Sequence, residues 1–204
     1  MMRRARGVSL IEVLVSMVIL SLGVLAVVAL QLVAKRNNAD AAQRTIASQL
    51  AYDIVERMRA NSTTAALAVY IQAGEIGGNN AALAAQACTS GAPCTAAQLV
   101  QHDLALWEQA LLGAAEVVVT AGTPSNTGGL VNPTACITGP AGGGDGIYTV
   151  TIAWRGNIEL ANDAAVVCGE DPPESGSDLY SKTPQDNVYR RTVSMPVYIT
   201  ARQS

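Results

Sequence analysis

A run of 27 residues near the N-terminus, from Val8 to Ala34, contains one charged side chain, Glu12. Three arginines precede the run within the first six residues, and the next basic residue is Lys35. An α-helix of this length extends roughly 40 Å, which exceeds the hydrocarbon core of a bilayer at about 30 Å. The positive-inside rule places the arginines in the cytoplasm. We therefore expect a single membrane-spanning helix with the rest of the chain on the far side.

Glu12 is the unusual residue of this run. An ionised carboxylate in hydrocarbon costs at least roughly 2.5 kcal/mol, so Glu12 needs a partner. Cleavage after Gly7 would supply one, because the new amino group on Val8 carries a positive charge. A secretory signal peptide, with cleavage near Ala29 or Ala34, and a plain membrane anchor are the alternatives. The length of the apolar run and its early carboxylate favour cleavage after Gly7.

The segment resembles the class III signal of type IV pilins and type II secretion pseudopilins. The matching features are the basic leader, Gly7, the Ser9-Leu10-Ile11-Glu12 core and the apolar helix that follows. The resemblance implies that a prepilin peptidase cuts between Gly7 and Val8 and methylates the amino group of Val8. It also implies that Glu12 docks the subunit against its neighbour in a filament. The family usually has Phe where this chain has Val8.

The helix is expected to continue beyond the apolar run. No proline occurs before Pro93, and no glycine lies between Gly23 and Gly74. Residues 35–60 are strong helix formers with one apolar stripe. Its members are Ile46, Ala47, Leu50, Ala51, Ile54, Val55 and Met58. We expect one helix of about 50 residues that ends near Asn61 and packs its second half on a globular head.

A second resemblance concerns the end of this helix. The stretch Gln49–Asn61 is similar to the corresponding segment of PilV-type minor pilins, also called type IV pilus modification proteins. Tyr148–Gly156 and Tyr189–Ser194 resemble the two C-terminal strands of those proteins. The resemblance implies a pilin-like α+β fold, in which a long N-terminal helix packs on a small antiparallel β-sheet. The domains expected are a leader (1–7), a transmembrane half-helix (8–34), an amphipathic half-helix (35–61) and a periplasmic head (62–204).

Within the head, two further helices are expected. A short one is read over 65–73, and a longer one opens with a capping box formed by Thr95 and Gln98. The core stripe of the longer helix consists of Val100, Leu104, Trp107 and Leu111, and Gly113 ends it. His102, the one histidine of the chain, lies off that stripe and is read as an exposed surface residue.

Strands are predicted over 116–120, 147–155 and 189–200. Pro196 indicates an edge position for the last of them. Tyr148, Val150, Ile152 and Trp154 are expected to share the buried face of the second. Residues 122–133 are read as a loop and residues 139–146 as a flexible glycine-rich turn. A phosphate-binding loop in that turn is disfavoured, because no Lys-Ser/Thr pair and no helix follow the glycines.

Four cysteines lie beyond the apolar run, in a compartment where disulfides form. Sequence alone leaves three connectivities open. Cys88 and Cys94 are six positions apart, so a local bridge between them is easy, and zinc is disfavoured because only His102 lies nearby. We prefer this pair together with Cys136–Cys168, which would close about 33 residues and add roughly 3–4 kcal/mol.

The chain carries no catalytic constellation: it has one histidine and none of the serine-nucleophile, zinc-protease or Walker motifs. Without the leader it has ten basic and sixteen acidic residues, a net charge of −6, so no nucleic acid is expected as a partner. We expect a non-enzymatic protein without cofactor or metal.

The resemblance implies a minor pilin that takes part in pilus assembly within a priming or tip complex and supports adhesion and twitching motility. Its partners would be the prepilin peptidase/N-methyltransferase, the major pilin, other minor pilins and the inner-membrane assembly platform. The chain would lie first in the inner membrane and then in the pilus at the cell surface. A minor pseudopilin of a type II secretion system is one alternative. A membrane-tethered periplasmic binding domain or enzyme is another.

Overall fold

The computed structural model describes residues 7, 9–114, 116–161, 165–170, 179–183 and 186–203. Its longest element is helix α1, Leu10–Ala60, with 51 residues. The chain divides into two compact units, Met1–Ala39 and Asp40–Ser204, so the second half of α1 belongs to the same unit as the head. The expected long helix and its end before Asn61 are confirmed.

Among its described residues, the head contains two further helices, six strands and one turn of 3₁₀ helix. The helices are α2 (Thr64–Gln72) and α3 (Ala96–Leu111), and the 3₁₀ turn is Ala141–Gly143. The strands are β1 (Glu75–Gly77), β2 (Val117–Thr120), β3 (Thr123–Asn126), β4 (Thr134–Thr138), β5 (Gly146–Arg155) and β6 (Arg190–Ile199).

Side-chain caps begin both head helices. The Thr63 side chain accepts a hydrogen bond from the backbone N–H of Ala66 at the start of α2. At the start of α3, Thr95 and Gln98 form the expected reciprocal capping box. These contacts satisfy backbone donors that have no partner inside the helix. The positions of both helices agree with the sequence prediction.

Four strands form an antiparallel sheet in the order β1-β4-β5-β6. Ile152 of β5 lies opposite Ala135 of β4 and Val193 of β6. Because β6 is at the edge, the missing N–H of Pro196 interrupts no fifth strand, as the sequence predicts. The fold is therefore the α+β, pilin-like arrangement that was expected.

One core lies between this sheet and the helices. The buried residues of α1 and α3 pack with the inner face of β5 in a single cluster. The predicted inner-face residues of β5, Tyr148, Val150, Ile152 and Trp154, are all buried. The clean alternation expected for β5 is wrong in its second half, since Thr151 and Ala153 on the other face are buried too. The reason is that the chain around Gly169 packs on this outer face. A Cβ added at Gly169 would lie 2.8 Å from the Cβ of Ala153.

The prediction of an uninterrupted loop over 122–133 is wrong. Strand β3 lies inside it and pairs with β2 as a separate two-stranded hairpin. The connection is Ala121-Gly122, and both residues have positive φ, which suits a tight hairpin turn. The Thr-Pro-Ser-Asn sequence of β3 has low strand propensity, so the pattern gave little sign of it. Strands β1 and β4 were also not predicted.

The glycine-rich turn over 139–146 packs closely against α2 at one position, Gly143. Gly143 is buried and has φ of 80°. A Cβ at this position would lie 2.2 Å from the carbonyl oxygen of Thr64, at the start of α2. The turn therefore needs glycine for a close backbone approach to α2.

Candidate functional site

The N-terminal segment contains the residues that the sequence singled out for processing. Gly7 is exposed, and Val8 and the leader arginines lie outside the described residues, so cleavage and methylation at Gly7–Val8 stay predictions. The carbonyl oxygen of Ser9 accepts hydrogen bonds from the N–H groups of Glu12 (3.0 Å) and Val13 (3.3 Å). These two bonds open the first turn of α1.

Glu12 lies in that first turn and is exposed. A carboxylate at this position is favoured by the positive end of the helix dipole. Within the described residues, no hydrogen bond or ion pair involves the Glu12 carboxylate. The backbone carbonyl of Glu12 accepts a hydrogen bond from the Ser16 hydroxyl at 2.6 Å, which leaves the side chain available. Its role in subunit docking stays a prediction.

The first half of α1 presents apolar side chains in every direction. The large hydrophobic residues from Leu10 to Val33 are 44–77% exposed. By length and composition this helix can cross a membrane, and none of its most apolar window is buried within the structure. Such a surface requires lipid or other apolar helices around it.

The second half of α1 is fixed to the head by an apolar stripe. The predicted members Ala47, Ala51, Ile54, Val55 and Met58 are buried, and Ile46 and Leu50 are partly buried beside them. The indole N–H of Trp107 in α3 also donates a hydrogen bond to the backbone carbonyl of Leu50 at 2.9 Å. This half of the helix is therefore part of the core of the head.

Polar contacts that the sequence did not reveal join α1 to the loops of the head. The Gln43 side chain donates to the carbonyl of Gly129 (3.2 Å) and accepts from the N–H of Val131 (3.0 Å). A carboxylate oxygen of Asp40 accepts from the backbone N–H (3.2 Å) and the side-chain amide (3.4 Å) of Asn157. No sequence pattern marks these residues, since their partners are backbone groups about 90 to 120 positions away.

A charged cluster joins the end of α1 to α3. A guanidinium N–H of Arg57 lies 3.0 Å from one oxygen of Asp103, and the Tyr70 hydroxyl lies 3.3 Å from the other. Burial lowers the pKa of Arg57, but its bonds to Asp103 and Asp53 outweigh burial and raise it overall. Burial, together with the negative charge of Asp103, raises the pKa of the Tyr70 hydroxyl. Because both pKa values are raised, Arg57 is positively charged and the Tyr70 hydroxyl is neutral near neutral pH.

The head contains two disulfides, and their pairing is the one preferred from the sequence. Cys88 and Cys94 are bonded with a Cα–Cα distance of 5.3 Å. Cys136 of β4 and Cys168 are bonded with a Cα–Cα distance of 5.9 Å. No cysteine is free. Glu75 lies near the second bridge, but both sulfur atoms are committed to the disulfide, so the three residues do not form a metal site.

The interpretation of His102 as an exposed surface residue is wrong. The side chain is half-buried, and its Nδ1 lies 2.8 Å from the backbone carbonyl oxygen of Gln86. A carbonyl only accepts, so the hydrogen is on Nδ1. The segment that contains Gln86 has no secondary-structure signal, which is why the sequence did not indicate this contact.

A long N-terminal helix with an exposed apolar first half, packed on a disulfide-stapled antiparallel sheet, defines a pilin-type protein. Two family models match the chain. The prokaryotic N-terminal methylation motif matches residues 2–28, and the type IV pilin Tt1218 family matches residues 29–105. Over residues 2–105 the chain is therefore similar to type IV pilins that carry an N-terminal methylation motif. No curated protein and no solved structure matches it significantly.

Proposed function

We propose that this chain is a minor pilin of the PilV type that takes part in type IV pilus assembly. The single observation that carries the proposal is the junction of a prepilin signal with one 51-residue helix whose first half is apolar and exposed. The resemblance of Gln49–Asn61 to PilV-type proteins supports the subtype. The acidic head and its two disulfides supply the surface that neighbouring subunits meet.

The proposed pathway begins with the prepilin peptidase. The enzyme cuts between Gly7 and Val8 and methylates the new amino group, which then carries a positive charge. That charge on one subunit and the Glu12 carboxylate of another offset each other in the apolar environment, where an isolated carboxylate is costly. The apolar half of α1 packs laterally against other subunits. The head remains outside the membrane and contacts other minor pilins in a priming or tip complex.

The protein is proposed to be structural rather than enzymatic. The type IV pilin family match supports this, because pilins act by assembly. The proposed partners are the prepilin peptidase, the major pilin, other minor pilins and the inner-membrane assembly platform. The proposed location is the inner membrane before assembly and the pilus at the cell surface afterwards, where adhesion and twitching motility depend on the filament.

Replacement of Glu12 tests this function. In the host, we expect Glu12→Ala to be cleaved normally but to fall at least about tenfold in sheared pili, because the docking charge is lost. Glu56→Ala is the matched control, since Glu56 is an exposed carboxylate on the same helix and pairs with nearby Arg59. Normal amounts of Glu12→Ala protein in sheared pili would contradict the proposal.

The pseudopilin alternative has the same signal and needs a separate readout. A strain that lacks this protein should lose surface pili and twitching while it secretes its exoproteins normally. Loss of secretion with intact pili would assign the chain to a type II secretion system. If the strain shows neither defect and the mature N-terminus is not Val8, a membrane-tethered periplasmic domain is the remaining interpretation.

A further inference from the structure

The head contains an open groove that the processing signal and the helix do not use. It has a volume of about 540 Å³ and lies between α2, α3 and the segment Leu83–Gln86. Val69, Ala73 and Leu104 line its apolar part, and Gln72, Gln86 and Gln101 add side-chain amides. The volume falls within the usual range for binding pockets, which is roughly 300–1,000 Å³.

Two side chains of α3 hold the segment Leu83–Gln86 in place. A carboxylate oxygen of Glu108, which is only 3% exposed, accepts a hydrogen bond of 2.6 Å from the backbone N–H of Leu83. Nδ1 of His102 donates to the carbonyl oxygen of Gln86 at 2.8 Å. The segment is therefore fixed at both ends by contacts that need a buried carboxylate and a half-buried imidazole.

Between these two contacts the backbone is unpaired. In the part of the chain that the structure describes, the N–H and C=O groups of Ala84 and Ala85 make no hydrogen bond. Both residues are exposed and line the groove. Leu83–Gln86 is not a strand, but a fixed segment with free main-chain donors and acceptors offers an extended peptide the same kind of pairing as an exposed sheet edge.

The lining limits the chemistry of the occupant. None of the nine lining residues is charged, so the groove offers no opposite charge to a phosphate, a carboxylate or an ammonium group. None is aromatic, so no ring is present on which a sugar or a base could stack. Small apolar side chains and amides suit an uncharged peptide.

We propose that this groove binds an extended, uncharged peptide segment of a neighbouring pilin subunit by main-chain pairing with Ala84 and Ala85. The peptide adds alongside Leu83–Gln86 and places alternate side chains over Val69, Ala73 and Leu104. The contact lies on the head and is independent of the helix packing at Glu12. The choice of a pilin as the partner rests on the proposed function, whereas the peptide chemistry does not.

A peptide array tests the proposal with the full chain purified in detergent. The array carries overlapping peptides of about eight residues from the heads of all pilins of the host, this chain included, and uncharged peptides from unrelated secreted proteins. We expect uncharged pilin peptides to bind and their backbone N-methylated forms to lose binding at least about tenfold. Ala85→Asp should cause a similar loss, since it places a charge in the groove. Ala87→Asp is the matched control, because Ala87 is exposed in the same segment but does not line the groove.

Four outcomes would overturn the proposal in distinguishable ways. Binding that survives backbone N-methylation or Ala85→Asp would show that the groove does not pair with a peptide main chain. An array without any bound peptide would do the same. Binding of this chain's own peptides alone would replace the neighbouring pilin by a second copy. Binding only of peptides from unrelated proteins would keep the groove chemistry and refute the pilin partner, while the proposed function is decided separately by the Glu12→Ala test.

Discussion

Two glycines of the head, one at the end of α3 and one in the β2–β3 turn, show how much a single glycine contributes to a turn. Gly113 has φ of 67°, and a Cβ there would lie 1.9 Å from the carbonyl oxygen of Gly128. Gly122, in the β2–β3 turn, has φ of 84° but no atom within 4 Å of an added Cβ. The two positions share the unfavourable backbone conformation, and only Gly113 also has a backbone clash.

We predict that Gly113→Ala lowers the free energy of unfolding by at least about 2 kcal/mol, because the backbone of Gly128 must move as well. Gly122→Ala should cost about 1 kcal/mol, from the conformational penalty alone. Urea unfolding of the full chain in detergent, followed by the fluorescence of the buried Trp107 and Trp154, measures both. Equal losses at the two positions would contradict the account of close packing at Gly113.

Asp103 is the residue that joins the end of α1 to the rest of the head electrostatically. It accepts from Arg57 and from the fully buried Tyr70. Asp53 also pairs with Arg57, but as an exposed neighbour one helical turn away. Loss of the Asp103 carboxylate therefore leaves the buried Tyr70 hydroxyl without this acceptor, whereas loss of the Asp53 carboxylate removes one of two partners of Arg57.

We predict that Asp103→Ala costs about 2 kcal/mol of unfolding free energy, because the buried Tyr70 hydroxyl is left without its acceptor. Asp53→Ala should cost at most about 0.5 kcal/mol, as for an exposed i,i+4 pair. The added change Tyr70→Phe should recover part of the loss in the Asp103→Ala background. A loss at Asp53 as large as that at Asp103 would show that this interpretation of the cluster is wrong.

At the scale of elements, the two disulfides have different consequences. Cys88–Cys94 closes a short loop before α3, whereas Cys136–Cys168 ties β4 to the segment that covers the outer face of β5. Gly169, next to Cys168, donates its N–H to Glu75 of β1 at 2.9 Å. The second bridge therefore holds three parts of the sheet region together.

We predict that replacement of both Cys136 and Cys168 by serine lowers the unfolding free energy by about 4 kcal/mol, whereas replacement of Cys88 and Cys94 lowers it by about 2 kcal/mol. The difference follows from loop length, about 33 against about 7 residues. Thermal unfolding of the parent and the two double variants at one detergent concentration provides the comparison. A larger loss for the Cys88–Cys94 variant would contradict the argument from loop closure.

At the scale of the molecule, the sequence predicted the elements with strong periodicity. The apolar run with its single charge, the stripe from Ile46 to Met58 and the Thr95 capping box each follow from local spacing, and the structure contains all three. Strands β1, β3 and β4 have three to five residues, too few for a pattern of alternation to stand out. Strand β1 pairs with β4, about 60 positions away, and β3 has low strand propensity although its partner β2 is adjacent, so local pattern encodes neither strand.

The candidate sites also differ in whether the sequence alone predicts them. The processing signal is a linear motif, so the roles of Gly7, Val8 and Glu12 are predictions from the sequence alone. The groove beside α3 depends on Glu108 and His102, whose backbone partners lie 25 and 16 positions away. Glu108 reads as an ordinary charged helix residue until its burial is known. A site that is formed by tertiary contacts to backbone groups has no linear motif, so a single sequence does not predict it.

The most direct test of the account is the intact mass and N-terminal residue of the protein purified from the membranes of its own host. The account predicts a chain that begins at N-methylated Val8 and carries two disulfides. A chain that begins near Leu30 would indicate an ordinary secreted protein, and an uncut chain that begins at Met1 or Met2 would indicate a plain anchor. Either of these results would contradict the assignment as a processed pilin.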